Sequence, residues 1–156
     1  MIIIQRPGVE SLKIESVLID FEGTLASDRR VHPKAKDKIN LLPKRAKIYI
    51  FANEENEQVE EVLRKVKAEI IHVQEGNASN KKLNLLRQLG ANRTVAIGNG
   101  RDDALMVEEA VLGICVISKE GTASETIRGA DVVVSNILDA LDFLLKPLRQ
   151  KATLSR

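Results

Sequence analysis

The stretch Val17-Leu18-Ile19-Asp20 constrains this chain more than any other, because three apolar residues run directly into a carboxylate. A strand that is apolar on both faces is typical of the centre of a parallel sheet, where helices cover both sides. Gly23 follows and allows the backbone to turn sharply. Ligands of such sheets bind at the carboxyl ends of the strands. The stretch therefore predicts a central strand that ends at a binding crevice, although a strand followed by an ordinary Asp/Gly turn fits the same residues.

The rest of the chain alternates between strand and helix patterns. Further strands are predicted at 47–51, 69–73, 94–97, 112–117 and 131–134. Helices are predicted at 33–42, 54–67, 102–110, 123–128 and 137–145. A further helix is expected to have Ser79 or Asn80 as its N-cap and to stop at Gly90. This alternation predicts an α/β fold with a doubly wound, mostly parallel sheet of Rossmann-like order. In that order the strand ending at Asp20 is the neighbour of the strand at 94–97.

Three peripheral segments carry weaker patterns. Residues 2–4 and 12–14 flank a turn and predict an N-terminal β-hairpin on an edge of the main sheet. Residues 27–30 are polar and predict a loop. The basic tail from Leu148 is expected to be frayed after Pro147 ends the last helix.

Composition narrows the class of protein. A chain of 156 residues with 44% apolar and 29% charged residues is expected to form one domain, 1–156. A net charge of +2 favours neither nucleic acid nor a membrane surface as partner. The single Cys115 cannot form an internal disulfide, which fits a reducing compartment, so a cytoplasmic location is expected. An apolar composition with only 3% aromatic residues also suggests a homo-oligomer.

Two motifs carry a resemblance to a known family. The stretch Asp20-Phe21-Glu22-Gly23-Thr24-Leu25 resembles motif one of the haloacid dehalogenase superfamily, whose pattern is Asp-x-Asp/Thr-Gly-Thr-Leu/Val. The stretch Gly98-Asn99-Gly100-Arg101-Asp102-Asp103 resembles motif four, which reads Gly-Asp-Gly-x-Asn-Asp in the P-type ATPase and phosphoserine phosphatase branches. The likeness covers nearly the whole chain and is greatest to small soluble P-type-ATPase-like phosphatases. No sizeable insertion follows motif one or the strand at 47–51, which corresponds to motif two of the family. A core without a cap domain is therefore expected.

The resemblance implies a Mg²⁺-dependent phosphohydrolase that works through an aspartyl phosphate at Asp20. It implies a metal site made by the carboxylates of Asp20 and Asp103 and the backbone carbonyl of Glu22, with Asn99 as a neutral oxygen ligand. Asp102 is close enough to help or to compete. The pair Asp102-Asp103 also fits acidic residues that stabilise a helix N-terminus.

The resemblance also implies groups that bind the phosphoryl oxygens. Lys82 matches the motif-three lysine, the adjacent Lys81 is the alternative, and either lysine also fits an ordinary surface position. The backbone N–H groups of Phe21 to Gly23 are expected to line the phosphate pocket, and the Thr24 hydroxyl to brace the loop. The substrate is expected to be a phosphorylated small molecule or a phosphoprotein.

Three positions depart from the family pattern. Ala52 stands where motif two has Thr or Ser, so Asn53 is the nearest side chain that could bind phosphate. Glu22 stands where most phosphatases have Asp; it is still able to act as acid and base, but with a longer reach. Asn99 replaces the first Asp of motif four. These departures leave an alternative open: a catalytically degenerate member that binds a phosphorylated ligand or a protein partner without useful turnover.

Overall fold

Six parallel strands form the centre of the computed structural model, which describes residues 1–156. The strands of the chain are β1 (Ile2–Arg6), β2 (Val9–Ile14), β3 (Ser16–Asp20), β4 (Ala26–Ser27), β5 (Arg30–Val31), β6 (Lys47–Asn53), β7 (Glu69–Val73), β8 (Thr94–Gly98), β9 (Leu112–Val116) and β10 (Val132–Val134). The helices are α1 (Pro33–Ile39), α2 (Val59–Val62), α3 (Ala78–Leu89), α4 (Ala104–Glu109), α5 (Ser124–Gly129), α6 (Ile137–Leu145) and α7 (Pro147–Leu154). Short 3₁₀ turns lie at Ala91–Arg93 and Arg101–Asp103. None of the helices combines the length and the apolarity needed to cross a membrane.

The order of the main sheet is β10-β9-β8-β3-β6-β7, and every neighbouring pair is parallel. This confirms the predicted doubly wound α/β fold and places β3 beside β8, as expected. Val17, Leu18 and Ile19 have no exposed surface, because apolar clusters cover both faces of the sheet. The apolar run in β3 therefore corresponds to a strand in the middle of three layers. Its last residue, Asp20, is paired in register with Phe51 of β6.

The N-terminal hairpin forms, but not on an edge of the main sheet. Strands β1 and β2 pair only with each other in an antiparallel two-stranded sheet. The inward side chains of this sheet, including Ile4 and Ile14, join the main apolar core. Glu15 alone separates β2 from the central strand β3, so the hairpin leads directly into the amino end of that strand.

The predicted helix at 54–67 is wrong over most of its length, since only Val59–Val62 is helical. The side chain of Asn53 accepts a hydrogen bond from the N–H of Glu55 at 2.9 Å, and Asn56 accepts one from Gln58 at 3.2 Å. Such local bonds compete with helical ones and favour turns. Apolar residues of the segment are nevertheless buried, at Val59, Leu63 and Val66.

Two further segments differ from expectation. The loop predicted at 27–30 lies within a small hairpin of β4 and β5, whose turn residues Asp28 and Arg29 have φ values of 50° and 65°. The tail predicted to fray is helix α7, which packs against β1. Gln150 of this helix is buried and donates hydrogen bonds to the carbonyls of Phe143 and Leu144 at 2.8 and 3.3 Å.

Candidate active site

Asp20 lies at the carboxyl end of β3 and retains only 5% of its accessible surface. Its Oδ1 accepts a hydrogen bond from Lys82 Nζ at 2.9 Å, and its Oδ2 accepts a longer one from the Thr24 hydroxyl at 3.3 Å. The same hydroxyl lies 2.9 Å from Oδ1 of Asn99. Thr24 therefore connects the loop after β3 to the loop after β8, which agrees with the bracing role expected for it.

The side chain of Lys82 reaches Asp20 because α3 presents one stripe of its surface to the sheet. Ala78, Lys82 and Leu86 follow one another at intervals of four residues, and all three are buried. Lys81, one position earlier, is exposed and donates instead to the backbone carbonyl of His72. Of the two candidate lysines, only Lys82 lies in the site. The expected cap at Ser79 or Asn80 is wrong, because Asn77 occupies the N-cap position, whereas Gly90 ends the helix as predicted with φ 99°.

Lys82 has no exposed surface and contacts three carboxylates. Its Nζ lies 2.9 Å from Asp20, 2.8 Å from Asp103 and 3.0 Å from Asp102. Burial alone would lower the pKa of Lys82, but the charges of Asp20, Asp103 and Asp102 raise it above its ordinary value. The lysine is therefore a permanent cation at neutral pH.

One ammonium group does not balance three carboxylates. Burial, followed by the charge of Asp103, raises the pKa of Asp20 well above its ordinary value, although Lys82 lowers it in part. Burial also raises the pKa of Asp103 against the opposing effect of Lys82. A second cation beside these groups would stabilise their charged forms. The electrostatics of the site therefore favour the binding of a cation.

The two adjacent acids after β8 lie in different surroundings. Asp103 has no exposed surface, and its Oδ2 accepts hydrogen bonds from the backbone N–H groups of Asn99 and Gly100 at 3.0 and 3.1 Å. A Cβ atom at Gly98 would lie only 2.5 Å from the Asp103 side chain, so a larger residue there would collide with it. Asp102 has 48% of its side chain exposed and lines the cavity described below. Asp103 thus stabilises the loop after β8 through its backbone N–H groups, while Asp102 faces the cavity.

Two of the oxygen ligands expected for a divalent cation, the Asp20 carboxylate and the Asn99 side-chain amide, lie close together. Asp20 and Asn99 share the Thr24 hydroxyl as a neighbour, and the Glu22 carbonyl accepts no backbone hydrogen bond. Carboxylate, amide and backbone oxygens are the ligands that Mg²⁺ prefers. No group of three or more His, Cys, Asp or Glu side chains is spaced to hold a metal ion. The expected ligand set differs from such a group, because it includes the Asn99 amide oxygen and the Glu22 backbone carbonyl.

Glu22 is turned toward the end of β6. Its Oε1 accepts a hydrogen bond from the Asn53 backbone N–H at 2.6 Å, and its Oε2 accepts one from the Asn56 side chain at 3.4 Å. Burial raises the pKa of Glu22, and the hydrogen bonds oppose that rise. A carboxyl group with a raised pKa retains its proton more readily, as a general acid must.

The backbone groups expected to bind phosphate are largely occupied. The N–H of Phe21 donates to the carbonyl of Phe51 at 2.8 Å, and the N–H of Gly23 donates to Ala26 at 2.8 Å. These two donors are therefore not free for a phosphoryl group in this arrangement, whereas the N–H of Glu22 has no partner. Ala52 is fully buried and offers no donor.

A cavity of about 1030 Å³ opens beside Asp20 at the carboxyl edge of the sheet. It is lined by Asp20, Glu22, Asn53, Val73, Gln74, Glu75, Gly76, Ala78, Ser79, Lys82, Arg101, Asp102, Leu105 and Glu125. Four predicted site residues, Asp20, Glu22, Asn53 and Lys82, face this one space. Phe21, Gly23, Asn99 and Asp103 do not line it.

The segment after β9 also holds the site, and sequence reasoning missed it. The N–H of Ala123 donates to the Asn99 carbonyl at 2.9 Å, and the Asn99 side chain donates to Gly121 at 3.2 Å. The hydroxyl of Thr126, which is fully buried, donates to the Gly100 carbonyl at 2.7 Å. No motif marks these residues in the sequence, because their role depends on loops that meet only in the folded chain.

One curated protein matches a large part of the chain. The uncharacterized protein MJ0073 of Methanocaldococcus jannaschii is 46% identical over 82 residues, which are 50% of this chain and 88% of that protein. The chain belongs to one family with this archaeal protein. No protein-family model matches it.

Solved structures share the architecture over most of their length. The cobalt-bound deoxy-D-mannose-octulosonate 8-phosphate phosphatase of Haemophilus influenzae aligns with a TM-score of 0.72 and 15% identity, covering 86% of this chain and 89% of that one. The corresponding Moraxella catarrhalis phosphatase, in complex with magnesium, phosphate and the sugar acid, aligns with a TM-score of 0.71 and 16% identity, covering 90% and 89%. A putative HAD family hydrolase of Streptomyces avermitilis aligns with a TM-score of 0.68 and 20% identity, covering 88% and 94%.

The chain has the haloacid dehalogenase fold. The fold that the two motifs led us to expect, with its Rossmann-like core, is thereby confirmed. In the haloacid dehalogenase fold of this chain, motif one and motif four lie on the neighbouring strands β3 and β8, which explains how Asp20 and Asp103 come to share one lysine.

Proposed function

We propose that this protein is a Mg²⁺-dependent phosphohydrolase that forms an aspartyl phosphate at Asp20. One observation carries the proposal: the Asp20 carboxylate lies at the end of the central strand, bonded to a buried lysine and facing a cavity of about 1030 Å³. Phosphatases with the same fold bind cobalt or magnesium, and one of them is a complex with phosphate, which supports a divalent cation at this site.

Each residue has a defined task in this reaction. An oxygen of Asp20 attacks phosphorus, an Oδ–P bond forms, and the ester P–O bond to the leaving alcohol breaks. The carboxylic acid form of Glu22 gives its proton to that alcohol. A water molecule then attacks phosphorus and gives a proton to the Glu22 carboxylate, and the Oδ–P bond breaks to release phosphate and restore Asp20.

Positive charge is required throughout, because an anion attacks an anion. Lys82 holds the Asp20 carboxylate in place and offsets its charge at 2.9 Å. Bound Mg²⁺ would reduce the repulsion between Asp20 and the phosphoryl oxygens. We assign as its ligands the Asp20 carboxylate, the Glu22 carbonyl, the Asn99 side chain and the Asp103 carboxylate. Asn53, which lines the cavity at the end of β6, would bind the phosphoryl group in place of the missing motif-two hydroxyl.

A second candidate function is binding without useful turnover. It is favoured by Ala52, whose buried methyl group stands where the family has a phosphate-binding hydroxyl, and by the internal hydrogen bonds of the Phe21 and Gly23 N–H groups. A domain of this kind would bind a phosphorylated ligand or a protein partner in the same cavity.

The experiment that tests the proposal compares the parent protein with Asp20→Asn. Activity on p-nitrophenyl phosphate with Mg²⁺ should disappear in the variant, because the amide keeps the shape of the side chain but is a poor nucleophile. Its stability should hold or rise, since a buried carboxylate beside Asp103 and Asp102 is removed. Beryllofluoride, which mimics a phosphoryl group on Asp, should bind the parent with Mg²⁺ and not the variant.

Three other outcomes have clear meanings. A parent protein that hydrolyses no phosphoester but binds beryllofluoride favours the binding function. Beryllofluoride binding by both proteins would show that Asp20 is not the attacking group. Hydrolysis that survives in Asp20→Asn would refute the proposed reaction.

A further inference from the structure

The wall of the cavity that lies beyond Asp20 and Lys82 is strongly polar. We call this surface the outer wall; it consists of Gln74, Glu75, Ser79, Arg101, Leu105 and Glu125. Only three of the 14 residues around the cavity are hydrophobic, and none of the 14 is aromatic. A large apolar or aryl leaving group would find little surface to cover it. The outer wall therefore suits a small polar alcohol.

The charge of the lining is negative. Its carboxylates are Asp20, Glu22, Glu75, Asp102 and Glu125, against two cations, Lys82 and Arg101. Lys82 is already shared among three carboxylates, two of which lie in this lining. The excess of carboxylates over cations in this lining disfavours a second anionic group on the substrate.

The remaining cation, Arg101, has a carboxylate beside it. Arg101 Nε lies 3.7 Å from Glu125 Oε1, beyond hydrogen-bond distance, and both side chains are largely exposed, so Glu125 offsets the charge of Arg101 only in part. Glu75, in the loop between β7 and α3, forms neither a salt bridge nor a side-chain hydrogen bond. It is an exposed carboxylate without a partner on the surface where the leaving group would lie.

We propose that the outer wall selects phosphate monoesters of small polar alcohols that carry no negative charge on the alcohol, with a preference for an alcohol that bears an ammonium group. The inference rests on the proposed function and goes further, because it assigns Glu75 as a specificity-determining residue. A carboxylate on the leaving group would be repelled by Glu75, and an ammonium group would be attracted to it. Because Glu75 is exposed, the effect on relative kcat/KM should be about threefold to fivefold.

The test uses three small esters that differ in the charge of the alcohol: O-phosphoethanolamine, glycerol phosphate and 3-phosphoglycerate. With Mg²⁺ at saturation and low ionic strength, kcat/KM should fall in that order. The variant Glu75→Gln should raise the ratio of 3-phosphoglycerate to glycerol phosphate by about threefold and lower the ratio of O-phosphoethanolamine to glycerol phosphate. Added salt should reduce both differences in the parent protein.

The matched control is Glu10→Gln, which removes the same charge from the exposed surface of β2, outside the cavity. Its ratios should equal those of the parent protein. Hydrolysis of p-nitrophenyl phosphate is measured alongside, so that the two proposals are judged separately. If p-nitrophenyl phosphate is hydrolysed but the three esters show the reverse order, or Glu75→Gln changes the ratios no more than Glu10→Gln, the charge selection is refuted and the phosphohydrolase remains. If none of the four esters is hydrolysed, both proposals fail.

Discussion

Replacing Lys82 by methionine tests the electrostatics of the site most directly. The change Lys82→Met keeps an unbranched chain of similar length and removes the ammonium group. Lys82 has no exposed surface, and its Nζ lies within 2.8 to 3.0 Å of Asp103, Asp20 and Asp102. The variant therefore leaves a group of carboxylates without the cation that now separates them.

The size of the effect follows from which carboxylates are buried. Asp103 has no exposed side-chain surface and Asp20 has 8%, so both lose their partner inside the protein, whereas Asp102 has 48% exposed and remains in contact with water. Removal of one member of a buried ion pair costs about 3–5 kcal/mol, because the remaining charge is left without compensation. We expect the free energy of unfolding of Lys82→Met to fall by about that amount at pH 8.

The effect should depend on pH in a definite direction. The pKa of Asp20 and that of Asp103 are already raised in the folded protein, and removal of Lys82 raises them further. A carboxyl group whose pKa is higher in the folded than in the unfolded state favours folding only while it is protonated. Stability therefore falls as the pH rises through the folded-state pKa. The pKa of Lys82 is itself raised, so this lysine stays charged across the range and adds no slope. The difference between variant and parent should be smaller at pH 5 than at pH 8.

Urea unfolding followed by circular dichroism, in metal-free buffer at pH 5 and pH 8, measures both quantities. The control is Lys81→Met, which removes a charge from the neighbouring exposed lysine that contacts only the carbonyl of His72. A loss below about 1 kcal/mol at pH 8, the range of an ordinary surface ion pair, would refute the reasoning. So would a loss equal to that of the control, or one that does not change with pH.

Two further predictions concern other carboxylates. Asp103→Asn should weaken Mg²⁺ binding in calorimetric titrations far more than Asp102→Asn does. It should also lower stability, because Asp103 alone accepts hydrogen bonds from two backbone N–H groups of the loop. Equal Mg²⁺ affinities of the two variants would mean that the wrong acid is assigned. Asp142→Asn should lower the free energy of unfolding by about 1 kcal/mol at pH 7, since Lys38 lies 2.5 Å from Asp142. Burial raises the pKa of Asp142, but the hydrogen bond and charge of Lys38 lower it more, so this contribution is present at neutral pH and lost as the pH falls through the folded-state value. Thermal unfolding at pH 7 and pH 3 checks it, and an equal loss at both would contradict the assignment.

Much of the fold could be predicted because its signals are local. The apolar run before Asp20 requires cover on both sides, and β3 lies between two apolar clusters. The bounds predicted for β7 and α6 match the structure residue for residue, since each is an uninterrupted pattern with clear ends. The helix predicted at 54–67 was wrong because other local interactions compete with it. The side chains of Asn53 and Asn56 accept hydrogen bonds from nearby backbone N–H groups, and turns form in place of most of the helix.

Elements whose conformation depends on distant partners could not be predicted. The turn of the β4–β5 hairpin has positive φ at Asp28 and Arg29, a conformation for which Arg gives no sequence signal. Helix α7 is short, and it is ordered because Gln150 binds the end of α6 and because the helix packs against β1, which lies at the other end of the chain. A short isolated helix gains too little from its own hydrogen bonds to be stable in water.

The sequence by itself determined that Asp20 ends a buried central strand and that a second acidic turn ends its neighbour, because strand burial and strand order follow from apolar patterning and handedness. Only the tertiary structure decided which of Lys81 and Lys82 lies in the site. The two lysines point in different directions from α3, and Lys81 is exposed whereas Lys82 is bonded to three carboxylates. Only the tertiary structure distinguished Asp102 from Asp103. The two residues are adjacent in the chain, but the Asp102 side chain is 48% exposed and the Asp103 side chain has no exposed surface. Charge and burial depend on distances between segments far apart in sequence, and those distances exist only once the sheet has brought the segments together.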